Sequence, residues 1–152
     1  DPANTDSYRV NANDYLDELI MLIDNFIIPI VETLPQENRI LITNHDSLGY
    51  LTANFGFETV GTIMQSGSTG AEPSVQDIAR IIDLMNAEGV SVIFGETTVR
   101  DTIPQTIADE TGAELIMLYT GSLSDENSSA ATYLDYIRYN YTTIIEALGG
   151  GF

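Results

Sequence analysis

The sequence contains no cysteine and no tryptophan, a single histidine and, among its five basic residues, no lysine. Without cysteine there is no disulfide, no Cys-ligated zinc, no iron–sulfur cluster and no thiol nucleophile, although the absence fixes no redox compartment. Positive charge is scarce. Five arginines face 23 acidic residues, for a formal net charge of −18, so a nucleic-acid partner is excluded: a polyanion is repelled and no arginine-rich stripe offers it a footing. An anionic lipid surface is disfavoured for the same reason. The acidic balance suits a salt-rich or calcium-rich exterior, where screening shortens the reach of self-repulsion, yet the spaced Asp/Gly pattern of an EF-hand loop is missing. No apolar run reaches membrane-spanning length, so direct membrane insertion is not expected. No signal-peptide pattern opens the chain, so any export signal is expected to have been removed already.

What is present is the composition of one soluble domain. The 152 residues are 43% hydrophobic and 9% aromatic, enough apolar surface for a core and too little bias for a disordered tail. Residues Thr5 to Leu34 read as one long helix, because Val10, Leu16, Leu19, Ile20, Ile23, Phe26, Ile27, Ile30, Val31 and Leu34 recur at spacings of three and four. Pro29 predicts a kink near Asn25 and Phe26, since proline removes a helix hydrogen bond and crowds the preceding turn.

After Pro35 short β-branched apolar runs alternate with helical segments. Arg39–Thr43, Thr59–Met64, Val90–Phe94 and Glu114–Tyr119 read as strands. Ser47–Phe55, Ser74–Ala87, Asp101–Glu110 and Ala131–Leu148 read as helices, with Ser74 as an N-cap and Asp77 three positions on. The expected fold is therefore α/β: a four-stranded, mainly parallel sheet flanked by helices and preceded by a long kinked backbone helix. Residues 1–36 form that helix, 37–148 the α/β lobe and 149–152 a flexible glycine tail. Gln65–Pro73 and Ser124–Ala130 are the loop-like connections.

In an open parallel sheet, ligands bind beyond the carboxyl ends of the strands. These ends carry Asn44, His45 and Asp46, then Gly95, Glu96 and Thr97, then Thr120, Gly121 and Ser122. An imidazole with one or two carboxylates at neighbouring strand ends is the chemistry of a Zn or Mn site, with His45 the principal candidate and Asp46 and Glu96 weaker ones. A lone histidine in such a loop is more often a structural hydrogen-bonding residue. Nucleophilic catalysis has no support, since His45 has no G-x-S-x-G serine to serve, and Gly67–Gly70 lacks the lysine of a phosphate loop. Tyr133, Tyr136, Tyr139 and Tyr141 cluster on the last helix as packing residues. Asn127 and Asn140 each open an N-x-[ST] sequon.

Read in order, LITNHDSLGYL, GTIMQSGSTGAEPSVQDIARIIDLMNAEGVSVIFGETTV, IADETGAELIMLYTGSL and TYLDYIRYNYTTIIEAL resemble the carboxyl-terminal lobe of the zinc/manganese solute-binding proteins of metal ABC transporters. The opening DPANTDSYRVNANDYLDEL is similar to the helix that joins the two lobes there. The resemblance implies that His45 is the histidine ligand from this lobe. It also implies an aspartate ligand in an LYTDSL motif, and here LYTGSL puts Gly121, which has no side chain, at that position. The remaining two family ligands are histidines from an amino-terminal lobe that precedes this segment.

Two readings follow. In one, the chain is a lobe of an extracytoplasmic metal-binding protein of an ABC transporter, partnered by the missing amino-terminal lobe and the membrane transporter. Its zinc or manganese site is incomplete and weak, unless Asp46, Glu96 or Asp125 replaces the lost aspartate; Glu72 matches the family only by residue type. In the alternative, it is a stand-alone extracellular structural or assembly module, partnered by identical chains through apolar parts of the first helix, including some of Met21, Phe26, Ile27 and Ile28. Neither reading is an enzyme.

Overall fold

The computed structural model describes residues 1–64 and 73–151. The Gly67–Gly70 turn, Glu72 and most of the Gln65–Pro73 connection lie outside the described residues. Helix α1 (Thr5–Leu22) runs without a break through a π-helical turn, Ile23–Ile27, into α2 (Ile28–Glu32). The expected perturbation at Asn25 and Phe26 is thus a widened turn. Pro29 has no N–H to donate, and its ring would crowd the carbonyl four residues back; the extra residue in the turn accommodates both, with the Ile28 N–H reaching the Ile23 carbonyl.

The remaining elements alternate. They are β1 (Ile40–Thr43), α3 (Gly49–Phe55), β2 (Glu58–Thr62), α4 (Val75–Glu88), β3 (Val92–Glu96), α5 (Thr102–Thr111), β4 (Glu114–Leu118) and α6 (Tyr133–Ala147). All four strands are parallel in the order β2-β1-β3-β4. The side-chain period of two sends successive residues to opposite faces. Leu41, Val92, Phe94 and Leu118 join Ile27, Ile30, Val31, Leu34, Leu51, Ile144 and Ile145 on the face covered by α2, α3 and α6. Ile42 and Ile93 join Ile63, Ile81, Met85, Ile107 and Ala108 on the face covered by α4 and α5.

Helix α4 starts in the manner its sequence predicts: Ser74 Oγ accepts from the Asp77 N–H at 3.2 Å and Asp77 accepts from the Ser74 N–H at 3.1 Å. The Ser74 hydroxyl, which donates to the same carboxylate at 2.6 Å, and then the Ser74 N–H hold the Asp77 carboxyl below its ordinary range. The third strand differs from expectation by two residues. Val90 instead closes α4, donating to the Met85 carbonyl at 3.0 Å, and the strand continues through Gly95 to Glu96. Continuation is possible because Gly95 has no side chain: a Cβ there would lie 2.7 Å from Met117 Sδ on β4.

Arg39 ties the layers together. Its guanidinium donates to the carbonyls of Val31 (3.1 Å), Leu34 (2.9 Å) and Phe55 (2.9 Å), joining the end of α2 and the residues after it to the end of α3. The glycines after Leu148, expected as a flexible tail, are hydrogen-bonded here: Gly150 N–H donates to Ile145 O at 2.9 Å and Gly151 N–H to Thr33 Oγ1 at 2.9 Å. The Ser124–Ala130 loop is closed on itself by paired bonds between its ends, at 3.0 and 3.1 Å.

Candidate functional site

From β1 the chain proceeds outward to β2, then returns to place β3 on the other side of β1 and continues to β4. The point of reversal, between β1 and β3, is where a parallel sheet opens a crevice at its carboxyl end. His45 follows β1 and Glu96 ends β3, so the two flank that crevice. The strands are joined there by the Asn44 N–H to the Phe94 carbonyl at 2.9 Å.

The Nδ1 atom of His45 faces the Oε1 atom of Glu96 in direct polar contact. The other carboxylate oxygen of Glu96 accepts from the Thr120 hydroxyl, just beyond β4. Glu96 is only 3% exposed, whereas the His45 side chain retains 23% exposure. The triad His45–Glu96–Thr120 thus spans the ends of β1, β3 and β4, with the carboxylate at the bottom and the imidazole at the surface. Residue Asn140 secures the β4 end from α6: its Nδ2 donates to the Tyr119 carbonyl at 2.8 Å and its Oδ1 accepts from the Tyr119 N–H at 3.1 Å. Nearby, Tyr136 has its hydroxyl pKa raised, chiefly by burial and then by the negative charge of Tyr133 and Glu96.

The other candidates lie further from Glu96. Asp46 is exposed beside His45, and the two line one recess of about 370 Å³ with residues of β2 and Arg80. Asp125 is exposed in the turn before α6. Gly121 has φ +70°, and a Cβ built there would meet nothing within 4 Å, so the position has room for a side chain it does not carry. Among the described residues, no three His, Asp or Glu side chains converge as a metal-binding group. Of the two sequons, Asn140 is buried and occupied by its bonds to Tyr119, while Asn127 is exposed. From the sequence, Thr120 is named only as one of the residues at the end of the fourth strand and Asn140 only as a sequon, and neither is given a part in the site.

The family model of the periplasmic zinc-uptake complex component A matches residues 1–147. The chain belongs to this family. Curated relatives include the manganese-binding lipoprotein MntA of Halalkalibacterium halodurans, 29% identical, with 97% of this chain and 49% of the relative covered. The iron-binding protein YfeA of Yersinia pestis is 30% identical, with 98% and 47% covered. Among solved structures, the periplasmic zinc-binding protein TroA of Treponema pallidum superposes with a TM-score of 0.85 at 27% identity, covering 97% of this chain and 54% of that one. A manganese-bound mutant of a periplasmic metal-binding protein from candidatus liberibacter asiaticus gives 0.82 at 31% identity, with 97% and 54% covered. The chain therefore spans about half the length of the curated relatives it matches. All four are named for binding metals, and three of them for a periplasmic or lipoprotein location, in agreement with the family and the extracytoplasmic location read from the sequence. No described helix is long and apolar enough to cross a membrane.

Proposed function

We propose that this chain is the carboxyl-terminal lobe of an extracytoplasmic zinc- or manganese-capturing protein that serves an ABC transporter, with His45 as the ligand this lobe contributes. The observation that carries the reading is the position of His45: a partly exposed imidazole at the reversal point of a parallel sheet, backed by a buried carboxylate. Zn and Mn accept imidazole nitrogen readily. An amino-terminal lobe, present in relatives twice this length, would close the crevice and supply further ligands.

The site on this lobe is weak by construction. One imidazole does not offset metal dehydration as several converging ligands do, and Gly121 supplies none. Zinc and manganese titrations of the chain by calorimetry are expected to give weak binding that His45→Ala abolishes. Gly121→Asp is expected to strengthen it, because aspartate tolerates a left-handed backbone better than most residues and nothing obstructs its Cβ. A tight one-to-one complex untouched by His45→Ala would overturn the assignment. Absence of any binding, even with an added amino-terminal lobe, would favour the stand-alone structural module instead.

A further inference from the structure

Glu96 is a buried carboxylate whose polar neighbours need an explanation. A carboxylate this enclosed is costly unless its oxygens are partnered. No arginine contacts it among the described residues; its partners are the Thr120 hydroxyl on Oε2 and the His45 ring on Oε1. His45 Nδ1 and Glu96 Oε1 are both shielded from solvent and, among the described residues, neither makes a hydrogen bond of regular geometry, so each is left with the other as its polar neighbour. Thr120 donates its proton to Oε2, so that oxygen is an acceptor. With Oε2 accepting from Thr120, Oε1 and Nδ1 are left facing each other, and a hydrogen on Nδ1 satisfies both atoms at once.

From this we infer that Glu96 is a positioning residue and not a ligand: it holds the neutral His45 ring in the Nδ1–H form and leaves the Nε2 lone pair as the ring's only acceptor. The inference rests on the proposed role of His45 in metal capture, and gives it a direction. Metal would be taken through Nε2 alone, because Nδ1 is committed inward. A carboxylate behind an imidazole also raises the basicity of the outer nitrogen and fixes the plane of the ring. The support extends backward through the fold. Thr120 anchors the far oxygen of Glu96, and the bonds from Asn140 to the Tyr119 backbone fix the strand end from which Thr120 projects. A residue of α6 thereby helps set the ring orientation at the end of β1 without touching it.

The same geometry separates Glu96 from Asp46. Asp46 is exposed and free to reorient. Glu96 is enclosed, and drawing it onto a metal would part it from both the Thr120 hydroxyl and the His45 ring.

The test uses the absence of any other histidine. Long-range proton–nitrogen correlation NMR of isotope-labelled, metal-free full chain, at alkaline pH where the ring is neutral, reads the tautomer of His45 from one pair of ring nitrogens. The Nδ1–H form is expected to predominate in the native chain. Glu96→Leu, which removes both acceptor oxygens without leaving a buried charge, is expected to reverse the majority to Nε2–H, the form free imidazole side chains prefer. Should that variant fail to fold, Thr120→Val leaves the carboxylate in place but unanchored, and is expected to lower the Nδ1–H fraction without abolishing it. A native ring already in the Nε2–H form overturns the inference, as does a majority unchanged in a folded Glu96→Leu chain or a fraction unchanged in Thr120→Val. The measurement involves no metal, so it can fail while the calorimetric test of metal capture succeeds, and the reverse.

Discussion

The first helical run passes through two environments. From Thr5 to Leu22 only the last residue is buried, and Tyr8, Val10, Tyr15, Leu16, Ile20 and Met21 are exposed. From the last residue of the π-helical turn onward the situation inverts: Ile27, Ile30, Val31 and Leu34 are all at most 3% exposed, seated against the sheet and α6. The apolar spacing is similar on both sides of the turn. Burial of an amphipathic stripe is therefore a property of what lies beside the helix and not of the stripe itself. An 18-residue helix without tertiary partners is marginal in water and owes its persistence to propensity and to continuity with an anchored segment. Among its exposed apolar residues, Leu16 and Ile20 lie one turn apart on the same side of the helix.

The contrast is open to mutation. The largest effect is expected from the anchored half: Ile30→Ala or Leu34→Ala should cost about 2–5 kcal/mol of unfolding free energy, measured by urea denaturation, as buried aliphatic truncations do. Removing the Arg39 clamp with Arg39→Met should follow at about 2–3 kcal/mol, because it releases charged hydrogen bonds to three carbonyls, two of them at the end of that half. A pH scan adds a third test. Burial, and to a smaller extent Tyr133, raises the Tyr141 hydroxyl to about 12, above the unfolded value of about 10. Its contribution is fully present below the unfolded pKa and is lost as pH rises through the folded one, so stability should fall between about pH 10 and 12. In Tyr141→Phe that part of the slope should disappear. The smallest effect belongs to the projecting half: Leu16→Ala and Ile20→Ala should change stability by no more than about 0.5 kcal/mol, with backbone amides of α1 exchanging far faster than those of α2. A loss of several kcal/mol at either position would show that the chain already covers this face with a second copy. Light scattering that detects association strengthening with salt, as screening relieves a net charge of −18, would point the same way.

Much of the fold was legible because it rests on local rules. The run of β-branched segments divided by amphipathic helices gave the parallel α/β arrangement, and Ser74 with Asp77 announced the start of α4. Exposure was less legible. Of the four residues expected to offer apolar surface on the first helix, Met21 and Ile28 are exposed, Phe26 is half-buried and Ile27 is fully buried; a periodicity cannot say which arc meets a partner. The candidate site was legible as a set of strand ends and not as a set of contacts. His45 and Glu96 are 51 positions apart in sequence and meet only because β1 and β3 are neighbours. Expecting the third strand to stop at Phe94 left Glu96 as a loop residue. Its place in the strand, beside β4 and with its side chain turned inward, depends on the bare backbone of Gly95 passing under Met117. Thr120, Asn140 and Arg39 act through backbone carbonyls, amides and single hydroxyls that belong to distant elements, and no spacing along the chain encodes such partners.

The π-helical turn at Ile23–Ile27 also has a meaning for aim. Each residue of a regular helix advances the azimuth by roughly 100°, so one residue accommodated in a widened turn resets the angular phase of everything before it. The stripe that includes Leu16 and Ile20 therefore faces a direction that the buried stripe of α2 would not select. Deleting a single residue within the turn, together with Pro29→Ala to remove the ring that the turn accommodates, should leave the α/β body folded and swing the projecting segment through about a quarter of a revolution, a change of bearing with almost no change of composition.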